Sequence, residues 1–375
     1  MQFKEIKGYD SIKKKLIQTV KSNRVSHAQL FLGPEGNAKL ALAIAYAQYI
    51  NCENPAEDSC GVCHSCIKYN KLIHPDLHFV FPVTAVNDIK KPVSRDFLVQ
   101  WRECLIKNDY FVDLDLWFET LGVENKQGII NADDCNEIIK TLSYTSYESE
   151  YKVMIIWMVE KLFHAAAPKL LKILEEPPDK TLFILISENQ SQIISTILSR
   201  TQIIKIPPME EHDLLELMVE KNEADRTKAK KITRYVNGNY IEAVKMLEKE
   251  DGQEDEVLLF RNWMRACFKS DVIAISTYTD KFASYGREGL KSFLQHCTEL
   301  IGDFVQLNHN IITIDRYEGE EKQFMNDFAR FVNTANAGKL YAEFNNAVFY
   351  IERNANPSLV LMDLSLKLNR ILLLK

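Results

Sequence analysis

The chain has 375 residues, 46% of them apolar and 26% charged, the balance of a folded globular protein with room for two or three domains. A net charge of −6 excludes a protein that coats DNA by its own charge, although a local basic patch remains possible. No run of about 18 apolar residues occurs, which excludes a membrane-spanning helix. The opening stretch 1–8 lacks the apolar core of a signal peptide, so a cytoplasmic location is expected.

Residues 9–22 are predicted to form an amphipathic helix, with Ile12, Leu16, Ile17 and Val20 on one face and Asp10 or Ser11 as its cap. A short apolar strand, 29–32, runs into Gly33-Pro34-Glu35-Gly36-Asn37-Ala38-Lys39-Leu40, and an Ala- and Leu-rich helix follows to about Ile50. Strand, glycine loop, lysine, helix is the order of a phosphate-binding P-loop, in which backbone N–H groups cradle phosphate and the lysine reaches its outer oxygens. The loop offers Gly33, Gly36 and Lys39 to such a site, but the pattern G-x-x-x-x-G-K-[ST] is only partly met. Ala38 stands where the second glycine is required, and its methyl crowds an approaching phosphate. Leu40 stands at the Ser/Thr position and offers no oxygen to magnesium. The expectation is a loop that keeps its shape and binds no ATP.

Of eight cysteines, four are Cys52, Cys60, Cys63 and Cys66, spaced C-x7-C-x2-C-x2-C. Thiolates at this spacing can close a tetrahedral, structural zinc site with no open position for water. Four unrelated thiols, or a redox pair, are the bland alternatives. His64, His74 and His78 are expected to face solvent or lie in turn and strand. Cys104, Cys135, Cys267 and Cys297 are expected to be small buried hydrophobes.

Residues 77–83 alternate like a strand. Residues 86–128 are less regular, with helices expected at 93–107 and 113–121 and a loop at 122–128. The stretch is expected to be an insertion or a surface excursion whose aromatic residues, Phe97, Trp101, Tyr110, Phe111, Trp117 and Phe118, pack onto the core instead of stacking on bases, since basic residues do not interleave them. A helix is expected at 129–143. Residues 151–158 are an apolar run suited to a buried parallel strand, ending at Trp157-Met158, with Glu160 expected to point away. A helix at 164–175, Pro177-Pro178, a strand at 182–187 and Ser199-Arg200-Thr201 come next. Pro207-Pro208 marks the exit from this core, and helices are expected at 210–221, 225–236 and 241–249. The charged stretch 248–256 is the expected boundary to a helical C-terminal bundle, with helices at 290–307, 321–332, 338–353 and 358–373.

Lys169-Leu-Leu-Lys-Ile-Leu-Glu-Glu-Pro-Pro178, Leu182-Phe-Ile-Leu-Ile-Ser187 and Thr196-Ile-Leu-Ser-Arg-Thr-Gln202 resemble the clamp-loader branch of the AAA+ family, and the cysteine cluster resembles its bacterial members. With the broken nucleotide motifs, the chain resembles the delta-prime family of bacterial DNA polymerase III subunits. The resemblance covers about 1–250 and returns at Asn354-Ala-Asn-Pro-Ser-Leu-Val-Leu361. It implies an α/β core of AAA+ type over 1–208 with a zinc module at about 52–66, a helical lid over 209–250, and an all-α collar over 251–375.

The resemblance further implies an arginine finger. In that branch a Ser-Arg-Cys motif carries an arginine into the neighbouring subunit's ATP site, and here Arg200 occupies that place. Without the resemblance, a surface salt bridge would be the simpler role for it. Active members end the strand at 157–158 in Asp-Glu and carry a lid arginine where this chain has Ile241. The implied role is a non-catalytic stator in a hetero-pentamer with delta and gamma/tau subunits, loading a sliding clamp on primer-template DNA. The alternatives are an ATP-hydrolysing subunit of the gamma/tau type, or a zinc-dependent nucleic-acid binder, which the acidic charge disfavours.

Overall fold

The computed structural model describes residues 1–86, 89, 91–123, 128–233, 236–248, 256–309, 311 and 319–373. It divides into two compact units, Met1–Lys249 and Glu250–Lys375.

The first unit is built on five parallel strands: β1 (Ala28–Leu32), β2 (Leu77–Val80), β3 (Lys152–Trp157), β4 (Thr181–Ser187) and β5 (Gln202–Lys205), in the order β2-β3-β4-β1-β5. Helices α1 (Asp10–Lys21) and α2 (Lys39–Ile50) flank β1, and α3 (His64–Asn70) precedes β2. Helices α4 (Leu98–Lys107), α5 (Leu114–Thr120) and α6 (Ala132–Ser143) lie between β2 and β3. Then α7 (Ala167–Glu175) joins β3 to β4 and α8 (Ser195–Leu198) joins β4 to β5. The unit closes with α9 (Glu211–Asn222), α10 (Arg226–Thr233) and α11 (Tyr240–Glu248).

β3 and β4 are buried along their whole length, as strands covered on both faces must be. Their side chains alternate between two cores. Phe31, Val153, Ile155, Trp157, Ile184 and Ile186 face the core shared with α1, α2 and α9–α11. Leu30, Met154, Ile156, Phe183 and Leu185 face the core shared with α6, α7 and α8. Every residue of α2 is buried, which explains why that helix carries alanine and leucine and almost no polar face.

Several elements differ from expectation in instructive ways. α1 has no side-chain cap; the chain enters it through Tyr9 in the left-handed region at φ 59°. The helix expected at 129–143 begins at Ala132, because Ile129 and Ile130 bridge to Val83 and Leu162 and Asn131 caps the helix. β5 and α8 had no distinct sequence signal: α8 is one turn long, and β5 is an edge strand whose side chains are mostly exposed. Of the expected loop at 122–128 and the expected linker at 248–256, residues 124–127 and 249–255 lie outside the described residues.

The expected insertion is ordered around α4 and α5. Trp101 stacks on Phe81 at 4.4 Å, meets Trp117 edge-on at 5.0 Å and lies 4.9 Å from Trp157. The Trp117 indole N–H donates to the Pro82 carbonyl at 2.9 Å. On its other side the insertion grips the helices after the core. Phe111 packs on Tyr240 at 4.4 Å, and Lys245 and Lys221 pair with Asp113 and Asp109 at 2.7 and 2.6 Å. Its aromatic residues are thus packing residues.

The second unit contains α12 (Glu256–Phe268), α13 (Val272–Ala283), α14 (Gly286–Asn308), α15 (Gly319–Ala329), α16 (Ala337–Glu352) and α17 (Pro357–Leu372). Phe260, Trp263, Phe282, Phe293, Phe304 and Phe344 are buried at its centre. The buried Trp263 indole N–H donates to Ser365 Oγ at 3.0 Å. In contrast, Leu359 and Leu366 of α17 and Leu373 just beyond it, seven residues apart, are 71%, 49% and 59% exposed. No described helix is long and apolar enough to cross a membrane.

Candidate functional site

The carboxyl ends of β1 and β4, where the strand order reverses, are the place at which an open parallel sheet presents a binding crevice. The loop Gly33 to Lys39 lies there. Gly33 is required by packing alone: a Cβ on it would fall 2.2 Å from the Ile206 carbonyl oxygen. Gly36 has φ +69°, and a Cβ there would fall 1.7 Å from Asn239 Oδ1. The Gly36 carbonyl accepts from the Tyr240 N–H at 3.0 Å, so the start of α11 sits on the loop. Asn37 donates from Nδ2 to the Ile206 carbonyl at 2.9 Å and accepts from the Lys39 N–H at 3.2 Å. These bonds hold the loop in place from within the chain.

Lys39 is buried, with only 5% of its side chain exposed. Its ammonium donates to the Pro34 carbonyl at 2.9 Å and pairs with Glu188 Oε1 at 3.1 Å. Glu188 immediately follows β4 and carried no signal in the sequence. Glu160 does not point away, as had been expected. Met158, left-handed at φ 55°, turns the chain after β3, and Glu160 Oε1 accepts the Glu188 N–H at 2.9 Å. Burial raises the Glu160 carboxyl above its ordinary range, with the N–H bonds from Glu188 and Glu160 opposing.

At positions 38, 40, 157, 158 and 241 the side chains belong to the core. Ala38 and Leu40 are buried beside α2, Trp157 is in the tryptophan cluster, and Met158 and Ile241 are buried in the same core.

Arg200 follows α8 at the surface, with its side chain 34% exposed. Its Nε donates to Glu175 Oε1 at 2.6 Å, and its NH2 group pairs with the same oxygen. NH1 donates to the Thr196 carbonyl at 3.0 Å and to Ser199 Oγ at 3.3 Å. Within this chain the guanidinium therefore makes the salt bridge that had been the simpler expectation. Glu175 was visible in the Leu-Glu-Glu-Pro-Pro run, but nothing in the run marks one glutamate as the partner.

The four cysteines Cys52, Cys60, Cys63 and Cys66 come together, with all their sulfurs within 4.8 Å of one another. Four sulfurs about 2.3 Å from one ion stand about 3.8 Å apart, and the Cys60 and Cys66 sulfurs are 3.9 Å apart. The turn that delivers them also polarises them: the N–H groups of Cys60, Cys63 and Cys66 point at the sulfurs of Cys52, Cys60 and Cys63 at 3.2, 3.3 and 3.4 Å. The Val62 and Cys63 N–H groups hold the Cys60 thiol down to about 6, whereas burial pushes Cys66 up. A cation would take the proton's place on all four sulfurs. These residues can hold a metal ion. His64 is exposed at the start of α3. His74 is buried, accepting the Asp76 N–H at Nδ1 (3.1 Å) with Nε2 2.9 Å from Ser149 Oγ. His78 is partly buried in β2, and burial lowers its imidazole to about 4. The other four cysteines, Cys104, Cys135, Cys267 and Cys297, are buried, as small hydrophobes would be.

The chain is 25% identical over 250 residues to the DNA polymerase III subunit delta' of Bacillus subtilis, covering 67% of this chain and 62% of that one. It is 26% identical over 207 residues to the DNA polymerase III subunit delta' of Haemophilus influenzae, covering 55% and 50%. A gamma/tau subunit of Mycobacterium bovis is 28% identical over 200 residues, covering 53% and 27%. The chain thus spans less than two thirds of the length of each of these relatives. A model of the family described as DNA polymerase III, delta subunit, matches residues 8–210, more than half of the 375. On that match, the chain belongs to this DNA polymerase III subunit family, with delta' subunits among its relatives.

Proposed function

We propose that the chain is a non-catalytic, delta-prime-like clamp-loader subunit of a DNA polymerase III holoenzyme. It acts as a stator, gives Arg200 to the ATP site of the adjacent subunit, and helps load the sliding clamp on primed DNA. One observation carries the proposal. Five positions where an ATP site would need a glycine (38), a hydroxyl (40), Asp-Glu (157 and 158) and an arginine (241) hold buried apolar side chains, while Arg200 is at the surface. A guanidinium suits the role because it is always charged, planar and able to grip a phosphate by two N–H groups.

Two further features support the stator. The P-loop lysine is neutralised internally by Glu188, and the insertion ties the core to α9 and α11 through Asp109, Phe111 and Asp113. On this reading 1–208 is the AAA+ core, 209–250 the lid and 251–375 the collar that joins the other subunits, delta and gamma/tau, in a hetero-pentamer. The exposed leucines at 359, 366 and 373 support the collar, since a freestanding bundle would bury or replace them. The cysteine module holds one structural zinc ion.

The test is nucleotide binding by the isolated chain. No magnesium-dependent ATP binding or turnover is expected. Tight binding with turnover would instead establish the ATP-hydrolysing, gamma/tau-type reading.

A further inference from the structure

We infer that Glu175 is a positioning residue for Arg200, a strut that holds one edge of the guanidinium and leaves its outer edge for a phosphate. The inference rests on the proposed action of Arg200 on a neighbouring subunit's nucleotide. Both partners stand on fixed ground. Glu175 follows Leu174, which is fully buried and whose carbonyl lies 3.1 Å from His27 Nε2. Arg200 stands three residues after Ile197, also fully buried in the same core. Only the side chains are left to move.

A guanidinium has five N–H groups. Nε and NH2 address Glu175 Oε1, and NH1 addresses the Thr196 carbonyl and, at the longer distance of 3.3 Å, Ser199 Oγ. That leaves one NH2 hydrogen. In a planar guanidinium it shares the edge away from Nε with one NH1 hydrogen, so a phosphate oxygen fork at that edge would take the NH2 hydrogen and displace an NH1 contact, of which the one to Ser199 is the longer. An unrestrained arginine samples many rotamers and must surrender them on gripping its target. A strut makes that selection beforehand, which favours the transition state. Both side chains are partly exposed, at 34% and 47%, so the pair biases the arginine without locking it.

The test uses the complex reconstituted with its partner subunits and reads kcat and KM for ATP. Glu175→Ala should lower kcat by roughly two- to five-fold, the scale of an exposed ion pair, with KM unchanged. Glu175→Gln keeps an acceptor oxygen for Nε and should recover most of the loss. In an Arg200→Ala background, Glu175→Ala should change nothing further. A rise in turnover on removing Glu175 would make it a restraining latch and overturn the strut. So would a loss that persists without Arg200, or an unchanged kcat for Glu175→Ala while Arg200→Ala is impaired. If Arg200→Ala itself is unimpaired, the reading of Arg200 fails together with the strut.

Discussion

Lys39 is a buried cation paired within its own chain. In a P-loop the lysine meets phosphate; here its buried ammonium meets Glu188 and the Pro34 carbonyl. Breaking a buried pair leaves one uncompensated charge, so Glu188→Ala should destabilise the first unit by about 3–5 kcal/mol, measured by urea unfolding. Replacing both partners together with leucine should cost much less. If Lys39 served a nucleotide instead, Glu188→Ala would cost little stability. The same contrast holds around Arg200, whose exposed pair with Glu175 is worth only about 0.2–1 kcal/mol. A weak bond of that kind suits a side chain that must present itself to another molecule.

At the scale of elements, the approach to β3 hangs on one carboxylate. Asp76 is buried and accepts the N–H groups of Tyr147, Glu148 and Ser149 at 2.7, 2.9 and 3.0 Å, while its own carbonyl accepts from Val153. Burial works to raise the Asp76 carboxyl, but the N–H bonds from Glu148, Tyr147 and Ser149 outweigh it and hold it below its ordinary range. A depressed carboxyl contributes stability above its unfolded pKa and loses it as pH falls through the folded value. Thermal unfolding of the wild type should therefore weaken on acidification below about pH 4. Asp76→Asn should start less stable at neutral pH and show a flatter acid limb; matching limbs would contradict this account. Asp76→Ala should cost on the order of 3 kcal/mol, since it strands several buried donors.

The cysteine module is a second such element. Metal analysis should find one zinc per chain, and chelation or Cys66→Ser should lower the melting temperature of the first unit. A metal-free chain of unchanged stability would refute the zinc site. Such elements differ in how far the sequence discloses them. Buried strands β3 and β4 and the cysteine spacing were legible, because full burial demands an apolar run and four thiolates demand a tight turn. Glu188, Glu175 and Asp76 were not, because a carboxylate's partner depends on which strand ends the fold brings side by side. β5 and α8 were too short and too polar on one side for periodicity to register.

For the whole molecule, the two units pose different problems. The first packs Asn239 against Gly36, ties the 33–39 loop through Asn37 and Lys39, and buries Ala38, Leu40, Trp157, Met158 and Ile241. The second presents Leu359, Leu366 and Leu373 at heptad spacing to solvent. If that stripe belongs to the collar, Leu359→Glu with Leu366→Glu should abolish co-purification with partner subunits while leaving helical content intact. Retained assembly would place the interface elsewhere. The central claim, that this chain lacks an ATPase of its own and completes a neighbour's, is tested most directly by Arg200→Ala in the reconstituted clamp-loader complex. A finger is worth about 10³–10⁵ in kcat at the site it serves. The variant should fold and assemble normally, yet the complex should lose the ATP turnover of that site. Full turnover by a complex carrying Arg200→Ala would contradict the account.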